Sequence, residues 1–396
     1  MGPRDRDPAR ISGAQARPGA CREAGHLAAR GGEGHQGEPE PHRRSGNRGR
    51  GPSESAAGTR PGGRQPRAQR GRTAPQGIHV AALAPRKPVT AFDVSVGISP
   101  RQSFDSWAEF VKGLEAEGVR RLWAIDSQLA MKDVYTGLVV AALNTTRIGL
   151  GTGVTNAVTR HPTVTANAIA AVAEISHGRA ILGLGAGDSA LYGIGLKPQK
   201  VVEVEEAIGF FRSRVDAVPI YLAVSQERMC QLAGRQADGA IVMGPAQPDM
   251  VRRQVEWVEG GLKAAGRDRR TFEIEFIAPV AASPDDVRSW ASTQARLLAH
   301  HRELPESLVP FRDEIKASEE SYDYAEHLST HATHSGAVSD ELVRTLAIVG
   351  TPSECVERLR GLQATGLDSM IFPLAGRGRL ERWRKLRDEI LAQIIV

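Results

Sequence analysis

The sequence predicts a (β/α)8 barrel, and three observations carry that prediction. From residue 91 onward, strand-like and helix-like segments alternate, and the strands number eight. The strand segments are short apolar runs, the pattern of parallel strands buried on both faces. Two of them end in matching text one βα unit apart, Gly149-Leu-Gly-Thr-Gly-Val-Thr-Asn156 and Gly183-Leu-Gly-Ala-Gly-Asp-Ser189. A doubly wound open sheet has the same local grammar. The count of eight favours the barrel.

Taken in order, Phe92–Gly97 reads as the first strand, and Ser103 is placed to cap a helix from Phe104 to Glu117 that Gly118 stops. Arg121–Asp126 is the second strand and Val134–Leu143 has helical spacing. Arg147–Thr152 is the third strand, and Pro162 opens the next helix, where its missing N–H costs nothing. That helix runs to Ile175, and Arg179–Leu184 is strand four. A helix over Val202–Phe211 leads to strand five at Pro219–Ala223, and Glu227–Gln236 leads to strand six at Gly239–Met243. Asp249–Ala265 is amphipathic and precedes strand seven at Thr271–Ile277. Asp285–Ala299 is a further helix, capped by Ser283-Pro284, and residues 300–340 form a polar, helical insertion. Ser353–Thr365 connects to strand eight at Ser369–Pro373, and Leu380–Ile395 closes the chain as a helix.

The 396 residues divide into two regions, 1–88 and 89–396. The first is rich in Arg, Gly and Pro and nearly free of aromatic and β-branched residues, so it is expected to be disordered. Three readings stand for it: a basic arm, a solvated linker, or upstream GC-rich DNA translated from a mis-assigned start. It holds 17 of the 51 basic and 7 of the 46 acidic residues, so the barrel region alone is mildly acidic, at about −5. That argues against a nucleic-acid groove on the barrel. No apolar run reaches the ~18–20 residues of a membrane span, and no signal-type apolar segment precedes the barrel. Cys21, Cys230 and Cys355 are too scattered for a disulfide framework or a zinc site. The expectation is a cytoplasmic protein with reduced thiols, no metal and a small-molecule partner.

In such a barrel the site lies at the strand C-termini. That collects Asp126, the run Thr152, Gly153, Val154, Thr155 and Asn156, the run Gly185, Ala186, Gly187, Asp188 and Ser189, and then Ser225, Gln226 and Gly244 around one mouth. Glycines there let a ligand lie close against backbone N–H groups. Neither run meets the dinucleotide fingerprint, since neither has the third glycine at the right spacing or a strand-two acid to match.

With Arg160-His161-Pro162, Glu174–Ser189, Pro219–Ser225, Leu232–Gly239 and Ile348–Glu354, these residues resemble the luciferase-like superfamily. Within it they are most similar to the coenzyme F420-dependent branch that includes methylenetetrahydromethanopterin reductase. The resemblance spans nearly all of residues 90–375. It implies an oxidoreductase passing a hydride between reduced F420 and an organic substrate. Asp126 and Asp188 would then be the catalytic acids, the glycine-rich runs with His161, Ser225 and Gly244 would hold the cofactor, and a cis peptide would lie at Gly153–Val154. It further implies a homodimer or homotetramer. An FMN-dependent monooxygenase, or a barrel that binds flavin without turnover, are the alternatives.

Three departures limit the carry-over. Ser95 or Gly97 stands where the reductases have a strand-one glutamate, Ser127 replaces a histidine, and the connection from Arg214 to Pro219 is short. Separately, Tyr322, Tyr324, His327, His331 and His334 cluster, with the histidines at helical spacing but without an acid at metalloenzyme spacing.

Overall fold

A computed structural model describes residues 93–128, 130–301, 303–326, 333–374, 376 and 378–394. The expected tail and the boundary at residue 89 lie outside the described residues, as do His327, His331 and the side chain of His334. The barrel strands are β1 (Asp93–Ile98), β2 (Arg121–Ala124), β3 (Gly149–Thr152), β4 (Ala180–Leu184), β5 (Ile220–Val224), β6 (Gly239–Val242), β7 (Glu273–Ile277) and β10 (Ser369–Pro373). All pair in parallel and close in the order β1-β10-β7-β6-β5-β4-β3-β2. The closed ring decides for the barrel over the open sheet.

The connecting helices begin where the sequence supplies caps. Ser103 accepts from the Ser106 N–H at the start of α1 (Phe104–Ala116), and Asp133 from Thr136 at α2 (Val134–Asn144). Pro162 is the first residue of α3 (Pro162–Ile175). After β4 comes one turn, α4 (Ser189–Tyr192), then α5 (Val201–Arg212), α6 (Glu227–Gln236) and α7 (Pro248–Ala264). Thr351 and Glu354 form a reciprocal capping box on α11 (Pro352–Gln363), and α12 (Arg379–Glu389) packs Trp383 into the core.

Three expectations change. Strand seven starts at Glu273 because Asp268 accepts from the Arg270 N–H and winds Arg269–Thr271 into a 3-10 turn. The single helix expected over 285–299 is two pieces. Ser283 caps a 3-10 turn at Pro284–Asp286, Val287 leaves helical geometry, and α8 runs from Arg288 to Ala299. The terminal helix ends at Glu389, with a separate 3-10 turn at Leu391–Gln393.

The insertion has its own organisation. A two-residue parallel pair, β8 (Val280–Ala281) with β9 (Ile348–Val349), anchors it to the barrel. Between them α8, α9 (Arg312–Glu320) and α10 (Asp340–Leu346) share a small core that includes Ala295, Phe311, Ile315, Leu342 and Leu346.

The barrel interior is filled unevenly, large side chains from some strands and glycines from their neighbours. A Cβ at Gly151 would meet the Trp123 ring at 2.4 Å, one at Gly149 the Arg121 side chain at 2.9 Å, and one at Gly239 the Tyr221 ring at 2.3 Å. Towards the strand N-termini, Arg121 reaches Glu273 and Glu275, Arg120 also reaches Glu273, and Tyr221 donates to Glu273 at 2.8 Å. Burial opposes ionisation of Glu273, but Arg121 and Arg120 hold its carboxyl at about 2. For Glu275 burial raises the carboxyl more than Arg121 lowers it.

Candidate functional site

Above that charged layer the strand C-termini open into a cavity of about 900 Å³. Its floor is apolar. Trp123, Ile241 and Ile371 come from the barrel interior, and Val154 packs against them. Val154 follows the Gly153–Val154 peptide, which is cis. Beyond this point the chain rejoins β4, with the Thr155 N–H donating to the Gly183 carbonyl and the Gly185 N–H to the Thr155 carbonyl, both at 2.9 Å. Gly185 makes room for Val154, since a Cβ there would lie 2.9 Å from its Cγ2.

The glycine repeat therefore has two uses. Gly151, Gly153 and Gly183 accommodate Trp123 and the β3 backbone; a Cβ at Gly183 would lie 1.9 Å from the Thr152 carbonyl oxygen. Gly185 and Gly187 line the cavity, and Gly187 adopts φ +77°, which a side chain would resist.

Most of the sequence candidates meet here. Asp126, Gly153, Val154, Thr155, Asn156, Gly185, Ala186, Gly187, Asp188, Ser189 and Ser225 all line the cavity. Three do not. Thr152 is buried and donates to the Gly183 carbonyl at 2.7 Å. His161 caps α3, its Nδ1 accepting from the Thr163 N–H, and faces a separate surface hollow. Gly244 packs against Gln254, which donates to the Ser225 and Met243 carbonyls. Asn156 lines the wall, but its Oδ1 accepts from the Val158 and Thr159 N–H groups and closes a turn.

The two acids are held differently. Asp126 is buried; it accepts from the Thr155 hydroxyl at 2.7 Å and from Arg160 Nη1 at 3.0 and 3.2 Å. Arg160 also pairs with Asp133 and lies over the Tyr135 ring at 5.0 Å. Burial, followed by the nearby Asp126 charge, pushes the Tyr135 hydroxyl up to about 12. Asp188 stands at the N-cap of α4 but makes no side-chain cap bond. Its carboxylate instead receives both Nη atoms of Arg296 from α8, one at 3.1 Å. Both arginines were missed as partners. Arg160 was in the motif but carried no role, and only folding brings Arg296 to Asp188. A usable signal is the run of polar residues Ser292, Thr293 and Gln294 followed by Arg296 within α8, all of which are buried.

The insertion supplies part of the cavity wall, through Ser289, Trp290, Thr293 and Gln294. The departures from the reductase pattern are visible as well. Ser95 is buried in the barrel in register with Arg121, while Gly97 and Ser127 line the cavity. At the start of α6, Gln226 makes no side-chain cap bond, and Glu227 places an acid in the first turn. Cys230 and Cys355 are buried free thiols, and burial pushes both thiols up. No helix among the described residues is long and apolar enough to cross a membrane.

Known proteins share this fold. The sequence profile of the luciferase-like monooxygenase family matches residues 88–192 and 198–369. The 5,10-methylenetetrahydromethanopterin reductase of Methanolobus tindarius is 28% identical over 290 residues, which are 67% of this chain and 88% of that protein. An F420-dependent glucose-6-phosphate dehydrogenase of Microbacterium testaceum is 26% identical over 281 residues, 63% of this chain and 79% of the relative. Among solved structures, the coenzyme F420-dependent tetrahydromethanopterin reductase of Methanopyrus kandleri superposes with a TM-score of 0.61 at 20% identity, covering 76% of this chain and 99% of that one. By the reach of the family match and the closed barrel beneath it, the chain belongs to the luciferase-like monooxygenase family.

Proposed function

We propose that the protein is an oxidoreductase that uses coenzyme F420 to move a hydride to or from a small organic substrate. The observation that carries this reading is the cavity itself: an apolar floor of Trp123, Val154, Ile241 and Ile371 beside a wall that carries the partly open carboxylate of Asp188. A flat ring fits such a floor, and a volume of about 900 Å³ leaves space for a second small molecule beside it. The glucose-6-phosphate dehydrogenase relative named as F420-dependent, matched over 79% of its length, supports the choice of cofactor.

The residues present fit a deazaflavin. The backbone of Gly185–Gly187 would lie along the ring, Val154 would support it from below, and Asp188 would meet a polar edge. The bound cofactor would supply or accept the hydride. The protein's part is to position it, exclude water and offer hydrogen-bond acceptors. For an anionic tail α6 is a poor cradle, because Glu227 opposes negative charge at that helix start. Ser225 and the neighbouring backbone are the remaining candidates there.

Side-by-side titration of the purified chain with F420 and with FMN tests the reading. Saturable binding of F420 in the micromolar range, with quenching of tryptophan fluorescence through Trp123, is the expected result. Preference for FMN would favour an oxygen-using monooxygenase instead. Binding of either cofactor without turnover on any donor or acceptor would favour a non-catalytic barrel.

A further inference from the structure

We propose that Arg296 is a positioning residue. From the insertion, it turns the Asp188 carboxylate away from the helix it would otherwise cap and presents one edge of it to an N–H or O–H donor on the bound ligand. This deepens the functional reading above and rests on it only for the identity of the ligand.

The first support is local. The Asp188 carbonyl accepts from the Leu191 and Tyr192 N–H groups at 2.8 and 2.9 Å, so the residue occupies the N-cap position of α4, although its ψ of −107° departs from the extended backbone of the side-chain caps at Ser103 and Asp133. It forgoes the side-chain cap bond. The competing partner is a bidentate guanidinium, which outmatches a single backbone N–H.

The second is how Arg296 is held. Its side chain is 0% exposed, and its guanidinium faces the Tyr322 ring at 4.8 Å and the Tyr324 ring at 5.4 Å. Burial works against its charge, but Asp188 and the two tyrosines hold the guanidinium above its ordinary range. The tyrosines continue the packing to the cavity wall. Tyr324 contacts Tyr192 at 5.3 Å between ring centroids, and the Tyr322 hydroxyl lies 3.0 Å from that of Thr293. Tyr192 and Thr293 both line the cavity.

The third is an asymmetry of exposure. In the barrel-interior pair, Arg121 and Glu273 are 9% and 3% exposed, so both charges are shielded. Here the cation is sealed while the Asp188 side chain remains 33% exposed towards the cavity. The free lone pairs of that carboxylate are acceptors. A neutral or cationic donor group suits this wall; a carboxylate or phosphate on the ligand would be repelled there.

The test uses the full chain and the variants Arg296→Gln, Arg296→Lys, Asp188→Asn and the double Arg296→Gln/Asp188→Asn. Affinity for F420 and for FMN is read by fluorescence titration, and crystal structures are determined for the wild type and Arg296→Gln. Both Arg296→Gln and Asp188→Asn are expected to weaken binding about tenfold. The double variant should be no worse than either, and Arg296→Lys should fall between, since lysine keeps the charge without the fork. In the Arg296→Gln crystal, Asp188 should turn back to cap α4. Wild-type affinity in Arg296→Gln, additive losses in the double variant, or an Asp188 carboxylate unmoved in that crystal would each overturn the proposal. If Arg296→Gln does not fold, wild-type affinity in Arg296→Lys overturns it. A wild type that binds neither cofactor overturns the F420 reading instead, and the position of Asp188 in the variant crystal still decides this one.

Discussion

The barrel carries arginine–carboxylate pairs at both of its ends, and the two sets differ in what they expose. Towards the strand N-termini, Arg121, Glu273 and Glu275 pair inside the barrel, with Arg120, Tyr221 and the Ser369 hydroxyl completing the network. Little of either charge reaches solvent. At the strand C-termini, Asp126–Arg160 and Asp188–Arg296 leave charge at a cavity wall. The chemical groups are the same in both places. What differs is how much of each pair is left accessible, most of all at Asp188, whose side chain is 33% exposed against 3% for Glu273.

That contrast can be broken most forcefully at the sealed end. Arg121→Met leaves Glu273 and Glu275 without their shared cation and should cost about 3–5 kcal/mol of unfolding free energy. Urea denaturation would read the loss, and cofactor affinity of the folded fraction should stay within twofold of wild type. A large affinity change with little destabilisation would collapse the distinction.

Within the open end the two acids should separate. Asp126→Asn disturbs a buried carboxylate shared by Thr155 and Arg160, so a loss of about 1–3 kcal/mol is expected, with a smaller effect on affinity. Asp188→Asn should shift the balance: it also costs stability, because the sealed Arg296 guanidinium loses its anion, but here the main change is about tenfold weaker binding. Paired thermal melts and titrations would check both.

Gly185→Ala probes the floor between them. The added methyl would press on Val154 and stand where a ring is expected, weakening binding about tenfold at a stability cost of about 1 kcal/mol.

A last effect, confined to the insertion, depends on pH. Burial, and then the neighbouring His300, lower the His301 imidazole to about 4, and His301 lies just past the end of α8. A base depressed in the folded state adds stability above the unfolded value near 6.5, and that stability is lost as the pH falls towards 4. The insertion should therefore loosen across that window, while Glu273 stays ionised down to about 2. Limited proteolysis between pH 7 and 4 should cut first in the insertion, and His301→Gln should flatten the dependence by about 1–2 kcal/mol.

Much of the fold was legible because its signals are local. β10, α3 and α6 have the bounds their sequence patterns predict, and Ser103 and Pro162 begin helices as their chemistry requires. Most other boundaries move by one or two residues, where helix ends fray and strand pairing fades. The β8–β9 pair was not legible, since two residues carry no period. The glycine-rich runs were legible as special but not as to why. Their register partners on the adjacent strand β2, Arg121 and Trp123, are what the β3 glycines make room for.

The sequence by itself determined the eight alternating units, the helix starts and the loops that gather at one mouth, because periodicity and capping are read within a few residues. Only the tertiary structure decided the state of the two acids. Asp126 and Asp188 are equivalent as letters, each just beyond a buried strand. Their difference comes from arginines brought in by folding, Arg160 from 34 residues away and Arg296 from 108. Charge pairing depends on distance in space and on exclusion of water, and neither is encoded in any stretch short enough to be read alone.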